Sequence, residues 1–260
     1  MSGFSADWLA LREPFDVRAR APELADSFLA DIPTGALVAD LGSGAGSNIA
    51  FLRARGGDRL RWRHVDADPA LIEAAEARFR GIDTIEFAQI DLARSLPAAL
   101  DGVAGVTCAA LIDLVSAAWI DVFVDALRRL RVPALIVLTY DGRMEWSPRS
   151  ADDAILAEAF HRDMRRDKGF GPALGPAAAH HLAARLREAG ALLETRDSDW
   201  RIAGTHVEMS AAMRDGIGEA AARSATAQEQ EAVARWRAAR AAQRRLGLIV
   251  GHQDIAARWA

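Results

Sequence analysis

Two hundred and sixty residues, 51% of them apolar, supply ample material for a packed core, and the length admits one large domain or two small ones. Charged residues make up 26% of the chain but sum to only -4 with both signs interspersed, which excludes a chain built mainly to coat nucleic acid or an anionic membrane. A lone cysteine, Cys108, forms neither an internal disulfide nor a multi-cysteine metal site and suits a reducing cytoplasm, the expected location. No basic segment runs into an apolar one near the N-terminus, and the longest uncharged stretch, 169–184, is broken by prolines and histidines, so neither a signal peptide nor a membrane span is expected.

In chain order, the segment 8–20 carries Trp8, Arg12, Phe15 and Arg20 and precedes the first strand by enough residues to form a helical lid, 1–33. Short apolar runs then alternate with helical patterns, the signature of βαβ units around a parallel sheet. Predicted strands cover 36–41, 60–66, 85–90, 105–111 and 134–139, each rich in Val, Ile, Leu or Phe. Predicted helices cover 47–55, 70–80 and 116–130, the second opened by Asp68-Pro69, a capping aspartate before a proline at the first helical position. After Tyr140 the rhythm changes to a helix at 151–166, a Gly/Pro loop at 169–176, a helix to residue 189 and a strand at 191–196. Two helical stretches, 207–224 and 227–246, lead to a last strand at 248–256. The expectation is an α/β fold with a Rossmann-like, mostly parallel sheet of seven strands, the last one antiparallel, helices on both faces and an extra helical cover. It is read as a single domain, 1–260, with a cofactor-binding half at 36–141 and a substrate side at 142–260.

The chemistry concentrates where the first strand runs into Asp40-Leu41-Gly42-Ser43-Gly44-Ala45-Gly46-Ser47-Asn48. Glycines there permit a tight turn and let a ligand lie against bare main chain. Nicotinamide and flavin dinucleotides use such a turn with the spacing G-x-G-x-x-G, whereas this one reads G-x-G-x-G, with Ser47 at the third dinucleotide glycine. Asp40 would repel a pyrophosphate and favour a cationic ligand.

With these residues the chain resembles the class I S-adenosylmethionine-dependent methyltransferases, whose first motif is an acidic residue followed by G-x-G-x-G. The resemblance extends from about residue 36 to 140 and implies S-adenosylmethionine as cofactor, held by Asp40, Gly42, Ser43, Gly44, Gly46 and Asn48. In that family an acidic residue at the second strand end holds the ribose hydroxyls, a position matched by Asp66 with Ala67 beside it. The third strand end supplies an aspartate for the adenine amino group and an apolar neighbour for the ring, matched by Asp91 and Leu92. Lids of this family reach the cofactor carboxylate, a role open to Arg12 or Arg20.

The fourth strand ends in Ile112-Asp113, where small-molecule enzymes of the family carry an apolar residue followed by His or Asn at the mouth facing the methyl group. Asp113 is a candidate general base or a cap for the following helix. The D/N-P-P-Y/F tetrad of amino-methylating nucleic-acid and glutamine enzymes is missing. A small-molecule acceptor is therefore expected, with no nucleic-acid or membrane partner and no resident metal, since no histidine pair has a carboxylate at ligand spacing. Lys168, the only lysine among 32 basic residues, follows Arg162, Arg165 and Arg166 and opens the loop 167–175, which suggests an anionic part of the acceptor contacted by Lys168 with Phe170 as an apolar wall. His161 borders that loop and is the second catalytic candidate; Trp119 is a candidate substrate contact. Two rival readings are a nicotinamide-dependent oxidoreductase, disfavoured by Asp40 and the glycine spacing, and a non-catalytic S-adenosylmethionine-binding module.

Overall fold

A computed structural model describes residues 5–259 of the chain, so residues 1–4 of the predicted lid and residue 260 lie outside the described residues. Its elements run α1 (Ala6–Ala19), α2 (Pro22–Ala30), β1 (Leu37–Leu41), α3 (Ser47–Arg53), β2 (Arg61–Asp66), α4 (Pro69–Arg78), β3 (Ile85–Gln89), α5 (Leu92–Ala99), β4 (Gly105–Ala109) and α6 (Ala117–Leu130). They continue with β5 (Ala134–Ser147), α7 (Asp153–Met164), α8 (Ala178–Glu188), β6 (Leu192–Asp197), β7 (Trp200–Ile202), α9 (Val207–Ser224), α10 (Gln230–Ala241) and β8 (Gly247–Arg258). β1 and β4 are buried on both faces, as near-continuous apolar runs require when helices cover both sides of a parallel sheet.

The sheet order is β3-β2-β1-β4-β5-β8-β6, with β8 antiparallel to both β5 and β6. β1 lies between β2 and β4, so the order reverses direction there, and in open α/β sheets ligands bind at such a switch point outside the carboxyl ends of the strands. One side of the sheet packs on α5, α6 and α8 through Phe123, Leu127 and Leu182. The other packs on α2, α3 and α4 through Phe28, Leu52 and Phe79. A third apolar cluster, including Phe15, Trp146, Leu156, Trp200 and Trp236, joins α1, α7, α9 and α10 to the far half of β5 and β8 and forms the helical cover.

Three expectations need correction. The sheet has eight strands among the described residues, not seven: β7 adds itself to β8 off the main path, and its three residues are too few for a period to be read. β5 does not stop at residue 139 but continues antiparallel to β8 as far as Ser147, through a bulge at Leu138, whose φ is +57°. Buried Asp254 of β8 fixes that bulge: it accepts from Leu138 N at 2.8 Å, from Ala21 N at 2.9 Å and from Ser198 Oγ at 2.6 Å. Finally, α5 lies where no helix is predicted, because Pro97 within it disguises the pattern.

Candidate functional site

Asp40 closes β1 and begins the glycine turn. It was expected to meet a ligand's positive charge, but it lies fully buried behind the turn, where its carboxylate accepts from Asn48 Nδ2 at 2.6 Å and Ser43 Oγ at 2.8 Å. Asn48 also donates to Thr107 Oγ1 at 3.1 Å and accepts from Arg20 Nη1 at 2.8 Å. Burial pushes the Asp40 carboxyl up, opposed by the Asn48 and Ser43 hydrogen bonds, and burial pushes the Arg20 guanidinium down, opposed by Asp16, Asp254 and Asp40. The chain Arg20–Asn48–Asp40–Ser43 is thus a buried polar brace that ties the lid to the turn, with partners for most of its polar atoms. Arg20 Nε alone remains buried without a partner.

The turn has little room for side chains. Gly42, Gly44 and Gly46 all have positive φ, and a Cβ on Gly46 would stand 2.4 Å from the Phe79 ring. Leu9 of α1 lies over Gly44, and Leu111 over Gly42. His64, buried in β2, bonds Gly44 O through Nε2 at 2.8 Å, a support for the turn that comes from 20 residues along the chain.

At the β2 end Asp66 accepts from Gly44 N at 2.8 Å through one oxygen and from Asp68 N at 2.9 Å through the other, leaving each oxygen a lone pair. Ala67 follows it, and its carbonyl accepts from Gln89. Asp91 caps α5 by accepting from Ala93 N at 3.0 Å, yet its side chain is 52% exposed. Leu92 is buried, and its carbonyl accepts the Trp119 indole N–H at 2.9 Å. Trp119, expected on the substrate side, therefore lies with Leu92, stacked on Phe123 at 5.3 Å. Two carboxylates with free lone pairs at successive strand ends, beside a cradle that a Cβ would fill, match the ribose and adenine groups of S-adenosylmethionine, and the residues fit that cofactor.

Beyond β4, Asp113 sits in a short 3-10 turn, Ile112–Leu114, and is 7% exposed. It is not the cap of α6: Ser116 takes that role by accepting from Trp119 N at 3.2 Å. Asp113 Oδ1 has no hydrogen-bond partner, and burial raises the carboxyl to about 6 despite its own backbone N–H and Arg12. Tyr140 of β5 stands near enough for the Asp113 charge to act on it, and it is joined to His161 of α7 by a 2.9 Å hydrogen bond between Tyr140 Oη and His161 Nε2. Burial, with Asp141 and Asp113 adding to it, pushes the Tyr140 hydroxyl well above its ordinary value, and burial lowers His161. His252 of β8 lies 6.2 Å from Tyr140, ring to ring, and burial holds it neutral, down to about 3. Arg12 of α1 pairs with Asp16 and lies 4.9 Å from the centre of the Trp200 ring. Sequence reading missed Tyr140 and His252; that Tyr140 is the only tyrosine was the one available signal.

The loop after α7 sits over the start of α6, with Leu174 N bonded to Val115 O at 2.9 Å and Phe170 edge-on to Trp119 at 5.7 Å. Lys168, expected as a free point charge, has its ammonium on Asp163, 3.1 Å from the backbone oxygen and 3.7 Å from Oδ2. Buried Asp163 also takes Arg223, Arg166 and Ser224, while Arg162 pairs with Glu229. Among the described residues no cluster of His, Cys, Asp or Glu has the makings of a metal site, and no helix is long and apolar enough to cross a membrane.

Residues 38–133 match a family model described as a methyltransferase domain. No curated relative matches the sequence. Among solved structures the chain is similar to a cyclopropane-fatty-acyl-phospholipid synthase-like protein from Lactobacillus casei, at 13% identity and a TM-score of 0.59, over 97% of this chain and 94% of that one. It is similar also to the YcgJ protein from Bacillus subtilis, at 14% identity and a TM-score of 0.55, over 92% and 100%. A mycolic acid cyclopropane synthase, CmaA1, solved with S-adenosylhomocysteine, aligns at 11% identity and a TM-score of 0.50, over 91% and 84%. Identities this low speak for the shared fold alone. The match over 38–133 makes this part of the chain similar to a methyltransferase domain, and the strand order and the acidic strand ends beside the glycine turn agree with the resemblance to the class I S-adenosylmethionine-dependent methyltransferases.

Proposed function

We propose that the protein methylates a small molecule, and that Asp113 is the acid–base group at the acceptor side of the cofactor. The observation that carries this reading is the unpartnered Oδ1 of a buried carboxyl at the end of β4, next to the strand whose end forms the glycine turn. A buried acceptor atom without a donor costs about 1–3 kcal/mol, which a donor on a bound acceptor relieves. Above a pKa of about 6 the carboxylate is ready to take a proton near neutral pH.

Asp66 would hold the ribose hydroxyls, Asp91 the adenine amino group with Leu92 against the ring, and the bare main chain of Gly42, Gly44 and Gly46 the methionine portion. Arg20 would face the cofactor carboxylate while Asn48 and Asp40 hold it in place. Bound S-adenosylmethionine supplies an electrophilic methyl on a sulfonium. The protein's own work is alignment and exclusion of water: α1 covers the turn through Leu9, and orienting the acceptor is worth roughly 7–11 kcal/mol of barrier. The acceptor is proposed to carry an anionic portion directed at the loop 167–175, supported by the excess of Arg162, Arg165, Arg166, Lys168 and Arg223 over Asp163, Asp167 and Glu229 around it, with Phe170 as its apolar wall.

Calorimetry tests the cofactor half of this reading: S-adenosylhomocysteine binds and NAD does not. Release of S-adenosylhomocysteine on incubation with S-adenosylmethionine and cell extract tests turnover, and binding without any turnover would assign the protein to the non-catalytic cofactor-binding modules.

A further inference from the structure

Tyr140 and His161 form a second polar wall that the reading above leaves unused. Tyr140 lies three residues beyond Val137, the β5 partner of Ala109, so it stands at the same level, past the carboxyl end of β4, as the Ile112–Leu114 turn that carries Asp113. It is the only tyrosine in a chain that fills its core elsewhere with Phe and Trp, and it is 5% exposed. A phenol there is isolated from water, and phenylalanine would fill the same space without a hydroxyl to satisfy. The hydroxyl is satisfied by His161, brought in by α7 from the helical cover.

We infer that the Tyr140 hydroxyl is the second contact for the acceptor's reacting group, that His161 positions it, and that the acceptor is a protic nucleophile, an alcohol, phenol or amine. This rests on the placement of Asp113 at the methyl face. The argument concerns the direction of hydrogen bonds. The Gly142 backbone hydrogen-bonds the His161 ring in a way that favours a proton on it. With that proton on Nδ1, Nε2 accepts from Tyr140 O–H, and the Tyr140 oxygen is left with lone pairs alone to offer. Asp113 Oδ1 likewise offers only lone pairs. Two acceptors at the carboxyl ends of neighbouring strands would, on one reacting group, select a partner that brings hydrogens: a hydroxyl or an amine fits, whereas a carboxylate would meet lone pairs with lone pairs.

The charges around the pair agree with a neutral reacting group. Asp113 and Asp141 face Tyr140, Glu158 and Arg165 face His161 from its own helix, and neutral His252 closes the β8 side. Arg12, the cation on the α1 side, is already paired with Asp16. In the reaction the acceptor's proton passes to the Asp113 carboxylate while the acceptor lone pair takes the methyl carbon. The carbon–sulfur bonding pair leaves with sulfur, and nothing is oxidised or reduced.

The single tyrosine makes the test direct. Protein labelled with ¹³Cζ-tyrosine gives one resonance, observed with S-adenosylhomocysteine bound while phenol, aniline or anisole is added. Phenol or aniline is expected to shift it and anisole, which has no hydrogen to donate, is not. Tyr140→Phe and His161→Leu are each expected to weaken phenol binding about fivefold, the loss of one neutral hydrogen bond, with S-adenosylhomocysteine affinity unchanged. His161→Gln, which keeps an acceptor for the tyrosine, restores phenol binding; a merely structural histidine would not be rescued this way. A resonance that ignores phenol and aniline, or shifts equally with anisole, overturns the inference while S-adenosylhomocysteine binding leaves the cofactor reading standing. Failure to bind S-adenosylhomocysteine at all overturns both.

Discussion

Asp113→Asn is expected to make the protein more stable and inactive. Burial raises the folded-state carboxyl from an ordinary 3.8 to about 6. Between these two values the folded chain holds a proton that the unfolded chain has lost, so the stability this group contributes is complete below about pH 4 and disappears as pH rises through about 6. At about 1.4 kcal/mol per tenfold change, the rise corresponds to roughly 3 kcal/mol at neutral pH. No discount for solvent applies to a side chain as buried as this one. Asparagine has the same shape and never ionises. Urea unfolding followed by tryptophan fluorescence should therefore show variant and parent alike near pH 4, and the variant ahead by up to about 3 kcal/mol near pH 7.5. Methyl transfer should fall by about 10²–10⁴, the usual worth of a positioned acid–base group. Equal stability differences at the two pH values, or a variant weaker at pH 7.5, would refute the assignment of a buried, uncompensated carboxylate.

Other perturbations separate the brace from the ligand contacts. Asn48→Ala removes hydrogen bonds to Arg20, Asp40 and Thr107, two of them charge-assisted, and should cost about 3–5 kcal/mol in urea unfolding, out of a total stability of about 5–15 kcal/mol for a typical protein. Asp66→Ala should weaken S-adenosylhomocysteine binding in calorimetry by about 1.5–3 kcal/mol; an unchanged affinity would remove Asp66 from the ribose site. Lys168→Met should leave that affinity intact and lower turnover of the true acceptor, because Asp163 keeps Arg223 and Ser224 when the ammonium is gone.

What the sequence disclosed and what it hid divide along chain distance. A strand, a glycine turn and a helix are written in adjacent residues, so β1, the turn and α3 were legible, as were Asp66 and Asp91 at the ends of apolar runs. The roles of individual polar side chains were less so, because partners far along the chain decide them. Asp40 looks like a ligand group until Arg20 and Asn48 are seen enclosing it, and a free cation was expected at Lys168 because Asp163 is five residues away on a face no period marks as buried. Tyr140 and His161 are separated by 21 residues, and the contact exists only because β5 continues past a bulge that Asp254 fixes from 116 residues away. Local pattern sufficed to propose the cofactor's cradle, since one βαβ unit builds the glycine turn. The proposed acceptor side draws on α1, β4, β5, α7 and β8 at once, and only the folded chain relates those elements to one another.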